Sequence, residues 1–171
     1  TNWVAIDFPD GTWSSGPAEL GYGDSSEGRP EATPIGYGGN SSKKYITYYF
    51  RQAFTVTQAA TLQDLTINLL RDDGALVYLN GNYVFRSNMP DDPVDYLTLA
   101  PIAAAGTEET IYFEQPVPSS YLKEGTNVLA VEVHQCSATS SDVSFDLSLT
   151  GSQMLVAPAI LTQPSGVEIP S

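Results

Sequence analysis

The sequence predicts an all-β protein, an antiparallel two-sheet β-sandwich of the jelly-roll kind. Three observations carry that expectation. Apolar residues recur every second position in short runs, turn-forming Gly, Pro, Asp and Asn separate the runs, and helical spacing is almost absent.

The first forty residues are expected to be a long irregular segment over one end of the sandwich. Eight of the fourteen glycines lie in 11–39, with Tyr22 and Tyr37 in Gly-flanked loops. Strand character begins at Lys44 and runs to Val56 through Tyr45, Ile46, Tyr48, Phe50 and Phe54, β-branched and aromatic residues interleaved with polar ones. The run from Leu62 to Leu70 alternates through Leu65, Ile67 and Leu69. Ala75–Leu79 meets Asn80-Gly81, and Asn82–Phe85 returns. Asn-Gly between two such runs signals a hairpin, because both central residues of a type I′ turn need φ > 0. Further strands are expected over Glu109–Gln115, Asn127–Gln135 and Val143–Thr150, with one helical turn at Pro118–Leu122. Tyr48, Phe50, Tyr78 and Phe145 are expected in the core. The sandwich is expected to occupy residues 1–151. Residues 152–171, with Pro158, Pro164, Pro170 and the single charge of Glu168, read as a linker or the start of a following module.

A chain of 171 residues is the size of one domain with a sizeable core. Seven Lys and Arg against twenty Asp and Glu give a net charge of −13, the wrong sign for clustered phosphate contacts. Nucleic acid and anionic membrane surfaces are therefore not expected partners. The chain is 42% apolar with ten Tyr, which argues for a packed fold over a disordered acidic tail. No apolar run approaches the roughly 18 residues of a membrane span. One cysteine, Cys136, excludes an internal disulfide and a Cys-based zinc site. Low Lys with abundant Gly, Ser, Thr and Tyr points to an extracellular or cell-surface bacterial module. The opening Thr1-Asn2-Trp3 reads like a mature or excised segment.

Phe8-Pro-Asp-Gly-Thr-Trp13 followed by Gly16–Asp24 resembles the opening of sugar-binding sandwich domains attached to glycoside hydrolases. The likeness continues through Tyr48–Arg51, Arg71–Ala75, Val77–Gly81, Arg86–Pro90, Gly125–Val128, Ala130–Gln135 and Ser140–Leu147. Together these resemble a galactose-binding-like jelly-roll module of large secreted bacterial proteins. The resemblance implies packing for Trp13, and one strand more before the tryptophan turn than this sequence shows. Fold does not fix function, so the site is argued from its residues.

Seven residues form the expected ligand site: Arg71, Asp72, Asp73, His134, Gln135, Tyr22 and Tyr37. Arg71 offers a planar donor fork, and Asp72 or Asp73 accepts sugar hydroxyls. Against this stands plain turn chemistry, an Asp side chain bonding nearby N–H groups while Gly74 takes φ > 0. His134 and Gln135 at a strand end offer mixed donors and acceptors. Alternatively, a half-buried His134 bonds a carboxylate such as Asp142 and pins the loop from Cys136 to Ser141. Tyr22 and Tyr37 offer rings to the apolar faces of sugars. A loose acidic population (Asp24, Glu27, Glu31, Asp91, Asp92, Asp95, Glu108, Glu109, Asp142 and Asp146) suits one structural Ca²⁺ with unassigned ligands, or a solvated acidic surface. No catalytic residues are identified. There is no G-x-S-x-G, phosphate loop or H-E-x-x-H, and a single His excludes a His-rich zinc site.

The function expected is a non-catalytic carbohydrate-binding module that tethers an extracellular multi-module protein, a polysaccharide-degrading enzyme, to a glycan. Its partners are a polysaccharide or oligosaccharide and neighbouring modules of the same polypeptide. Two alternatives stay open. One is a structural or adhesion sandwich without a small ligand, in which Arg71, Asp72, His134 and Asp142 form a buried network. The other, remote, is a small jelly-roll lyase using Tyr and His.

Overall fold

The computed structural model describes residues 2–154. It is a sandwich of nine strands in two sheets, with no α-helix among the described residues. The strands are β1 (Leu20–Tyr22), β2 (Thr33–Pro34), β3 (Thr47–Val56), β4 (Leu62–Arg71), β5 (Gly74–Leu79), β6 (Asn82–Ser87), β7 (Phe113–Val117), β8 (Gly125–His134) and β9 (Val143–Gln153). One sheet has the order β2-β1-β9-β4-β7 and the other β3-β8-β5-β6. All pairs are antiparallel except β1 with β2.

Every second residue feeds the core between the sheets. Leu65, Ile67 and Leu69 of β4 meet Val77 and Leu79 of β5 and Leu129, Val131 and Val133 of β8. Phe50 of β3 stacks on Phe145 of β9 at 4.2 Å, closing the core at the β3 edge. Burying each such side chain contributes roughly 1.5–3 kcal/mol. The Asn80-Gly81 turn is the hairpin tip expected, with φ of 53° and 79°. The single helical turn at 118–122 is a 3₁₀ turn, Ser119–Tyr121.

Three elements differ from the sequence reading. The opening segment is not wholly irregular: Leu20–Tyr22 pairs with β9, and Thr33–Pro34 with Leu20–Gly21. These strands are too short to show a period. The strand expected at Glu109–Gln115 lies at Phe113–Val117, behind a 3₁₀ turn at Gly106–Glu109. Pro116 belongs to the strand, which it can because β7 is an edge and spends no ladder donor there. Tyr78 faces away from the main core, where Trp3 lies 5.7 Å from its ring and its hydroxyl donates to Glu132 at 2.9 Å.

Two segments cover that outer face of the four-stranded sheet. Residues 3–13 pack through Trp3 on Tyr49, ring centroids 4.7 Å apart. The loop from Asn88 to Ala104 packs through Met89 and Ala100 on Leu76. Polar residues on the outward side of β8 are therefore buried as well: Glu132 is 7% exposed and His134 0%. The last strand reaches Gln153, past the expected boundary at 151, and the rest of the expected linker, from 155 on, lies outside the described residues.

Candidate functional site

One end of the sandwich gathers most of the residues expected to bind ligand, but inside the protein. Arg71 ends β4, Asp72 and Asp73 link it to β5, and Gln135 follows β8; none is more than 3% exposed. The Arg71 Nε donates to Ser87 Oγ at 2.9 Å, Nη1 lies 3.5 Å from Glu108 Oε2, and the guanidinium stacks 4.3 Å over Phe113. Burial lowers the Arg71 pKa, and Glu108 opposes that shift.

Asp73 is a long-range tie: Oδ1 accepts the Ala104 N–H at 2.7 Å and Oδ2 the Cys136 N–H at 2.6 Å. Its bonds join two loops, where the turn reading expected nearby N–H groups. Gly74 likewise has no positive φ. A Cβ there would lie 2.5 Å from Asn88 O and 2.7 Å from Met89 Sδ, so close packing excludes a side chain. Burial, and then the Asp73 carboxylate, pushes the Asp72 carboxyl up to about 9. Asp24 is raised in the same direction, chiefly by burial, although Ser144 donates to it at 2.5 Å and Arg29 Nη2 pairs with it at 3.0 Å.

Gln135 Nε2 donates to Tyr22 Oη at 2.9 Å and to Asp142 O at 3.0 Å, pinning the loop assigned in sequence to His134. His134 turns the other way, its Nδ1 meeting Thr98 O at 2.8 Å and Thr47 Oγ1 at 3.1 Å, with Nε2 3.4 Å from Glu132 Oε2. Asp142 is not its partner. Tyr22 is half-buried, and burial followed by the Tyr48 hydroxyl raises its pKa. Tyr37 is 37% exposed, but its ring packs on Tyr22 at 5.3 Å and Lys44 Nζ sits about 5 Å over both rings. The seven residues thus meet in part. Arg71, Asp72, Asp73, Gln135 and Tyr22 share one end, Tyr37 joins through Tyr22, and His134 belongs to the outer face. Among the described residues, no three His, Cys, Asp or Glu side chains converge to hold a metal.

A concave surface lies elsewhere, along the edge of β3 that pairs with no strand among the described residues. A cleft of about 400 Å³ is lined by five consecutive β3 residues, Tyr49 to Ala53, by Trp13–Gly16, and by Phe145–Leu147 of β9. Consecutive lining residues mean that the strand's edge, with both its faces, borders the opening. Arg51 builds the wall. Its side chain is 2% exposed, Nε donates to Asp10 Oδ2 at 2.7 Å, Nη2 to Ala5 O at 3.0 Å, and Nη1 to Trp3 O. The guanidinium also lies 5.1 Å from the Phe8 ring, and Phe8 meets Trp13 edge-on at 5.7 Å. One arginine thereby fixes the segment that presents Trp13.

Trp13 lines this cleft and is 37% exposed, where the resemblance implied packing. Ser14, Ser15, Gln52, Asp10 and Asp146 supply polar groups around it. Asp146 accepts the Tyr112 hydroxyl at 2.6 Å, a bond that, with burial second, pushes Tyr112 up to about 12. Sequence reasoning missed this site. Its available signals were an Arg in the middle of an amphipathic strand and a turn, Pro9-Asp10-Gly11-Thr12, delivering a tryptophan.

Fold and cleft together define a β-sandwich module with a small, amphipathic, partly aromatic groove at one sheet edge. No protein-family model matches the chain, and no curated protein matches it in sequence. Among solved structures, a Bacteroides uniformis β-glucuronidase 2, solved covalently bound to cyclophellitol-6-carboxylate aziridine, is similar over 86% of this chain and 15% of its own, at 17% identity and a TM-score of 0.54. A β-glucuronidase from glycoside hydrolase family 2 is similar over 78% of this chain and 12% of its own, at 16% identity and a TM-score of 0.48. A Streptomyces avermitilis α-L-rhamnosidase complexed with L-rhamnose is similar over 64% of this chain and 9% of its own, at 16% identity and a TM-score of 0.45. The likeness to the first is one of fold. The chain spans less than a sixth of each of these proteins.

Proposed function

We propose that this chain is a non-catalytic carbohydrate-binding module of an extracellular multi-module protein, placing an attached polysaccharide-degrading domain on a glycan. The observation that carries the reading is the cleft on the β3 edge, with Trp13 exposed among serine, amide and carboxylate groups. Sugars present apolar C–H faces to an aromatic ring and hydroxyls to such polar groups, and a volume near 400 Å³ is within the range of small-ligand sites. The fold likeness to a small part of a β-glucuronidase chain supports an origin beside a glycan-processing domain.

The burial of Arg71, Asp72, Asp73 and Gln135 favours a second reading, a structural spacer whose polar residues hold loops together. Retention of the 171-residue chain on a panel of insoluble polysaccharides separates the two. The binding reading expects retention on at least one polysaccharide and its loss in Trp13→Ala. A chain that binds none of them is a spacer.

A further inference from the structure

We infer that the cleft takes an uncharged oligosaccharide of at least two sugar rings laid across Trp13, and that it selects against uronate and sulfated chains. This rests on the carbohydrate-binding reading and names its ligand class.

Length follows from the shape of the site. Beside the cleft of about 400 Å³ lies a second compartment of about 360 Å³, reaching toward Thr33–Gly36. The two share Trp13, Ser14, Ser15, Leu20, Tyr49 and Phe50, so they adjoin along a seam that Trp13 borders. Each compartment alone is large enough for a small ligand. A single sugar ring would use one side of the seam, and a chain would use both.

Selection follows from the charges that line it. Arg51 is the cation of the larger compartment, and all three of its nitrogens already donate, to Asp10, Trp3 O and Ala5 O. Among the described residues, no lysine lines either compartment. The remaining charges are carboxylates, Asp10 with 42% of its side chain exposed and Asp146, in a chain of net charge −13. A uronate or sulfate here would give up water, meet like charge and find no free cation, which is costly. Hydroxyls need only donors and acceptors, and Ser14, Ser15 and Gln52 supply them.

Affinity electrophoresis of the 171-residue chain tests both statements, with galactomannan, xyloglucan, mixed-linkage β-glucan and pullulan as neutral probes. Polygalacturonate, alginate and chondroitin sulfate are the acidic probes. The expected result is retardation by at least one neutral polymer, little changed between 50 and 500 mM salt (order-of-magnitude bounds on screening), and abolished in Trp13→Ala. Acidic polymers are expected to retard it at least tenfold less. Retardation by an acidic polymer as strong as by any neutral one, and lost in Trp13→Ala, overturns the selectivity while leaving carbohydrate binding intact. No retardation by any polymer overturns the binding reading itself. Titration with the mono-, di- and trisaccharide of the best polymer then reads the length requirement. A rise of tenfold or more from one ring to three is expected, and equal affinity for all three overturns the two-compartment site.

Discussion

At the loop end of the sandwich Arg71, Asp72, Asp73 and Gln135 are each no more than 3% exposed, whereas in the edge cleft Trp13 is 37% exposed and the Asp10 side chain 42%. Both regions hold an arginine beside carboxylates. In the first, the polar groups are buried and turned toward one another and toward backbone: Asp73 accepts from two N–H groups and Gln135 Nε2 donates to a tyrosine hydroxyl and a carbonyl, while Arg71 Nη1 and Gln135 Oε1 are buried without a hydrogen-bond partner. In the second, Arg51 is turned inward in the same way, but its effect is to hold out a segment whose own groups remain open to solvent. The lesson is that a set of polar residue types does not make a site. What matters is whether they are left open to solvent, where a ligand can reach them.

The largest effect expected is on stability at the loop end. Arg71→Ala removes the bond to Ser87, the pair with Glu108 and the stack on Phe113, and is expected to destabilise the protein by about 3 kcal/mol, as losses of buried ionic partners do. Denaturant unfolding measures it. A loss below about 0.5 kcal/mol, typical of surface positions, would place Arg71 in the open and erase the contrast.

The next effect is a pH dependence confined to the same end. Unfolded Asp72 releases its proton near the ordinary value of about 4, whereas folded Asp72 keeps it up to about 9. Between those values the native state binds the extra proton, so stability falls as pH rises through the window and levels off above it. Unfolding midpoints should therefore drop from pH 5 to pH 8, and Asp72→Asn, which keeps the shape without the ionisation, should flatten that decline. An equal slope in the variant would assign the dependence to another group.

In the cleft the expectation is reversed. Trp13→Ala should cost about 1–2 kcal/mol, less than Arg71→Ala, since the indole is partly exposed and its aromatic partner Phe8 is met edge-on, while glycan binding is lost. A loss of several kcal/mol would make Trp13 a core residue like those at the loop end.

The smallest effect concerns calcium. Among the described residues no three acidic side chains converge, and Asp24 is already bonded to Ser144 and Arg29, so adding calcium or a chelator should leave the melting temperature unchanged. A native-state ion at 100 times its dissociation constant would contribute about 2.7 kcal/mol, and a fall of several degrees on chelation would reveal it.

The sequence by itself determined the sandwich, most of its strands and the Asn80-Gly81 hairpin, because alternation, β-propensity and a positive-φ turn are local properties readable within ten residues. It also marked the polar residues at the strand ends. It did not determine which of them remain open. His134 and Glu132 stand on the outward side of β8 and would face water in a bare sheet, but residues 3–13 and the loop from Asn88 to Ala104 cover them. Tertiary structure alone decided that Gln135 reaches Tyr22 and Asp142, that Asp73 ties Ala104 to Cys136, and that Arg51 holds the chain 41 residues earlier at Asp10. Burial and hydrogen-bond saturation depend on groups distant in sequence, and no local pattern records whether a donor already has its acceptor.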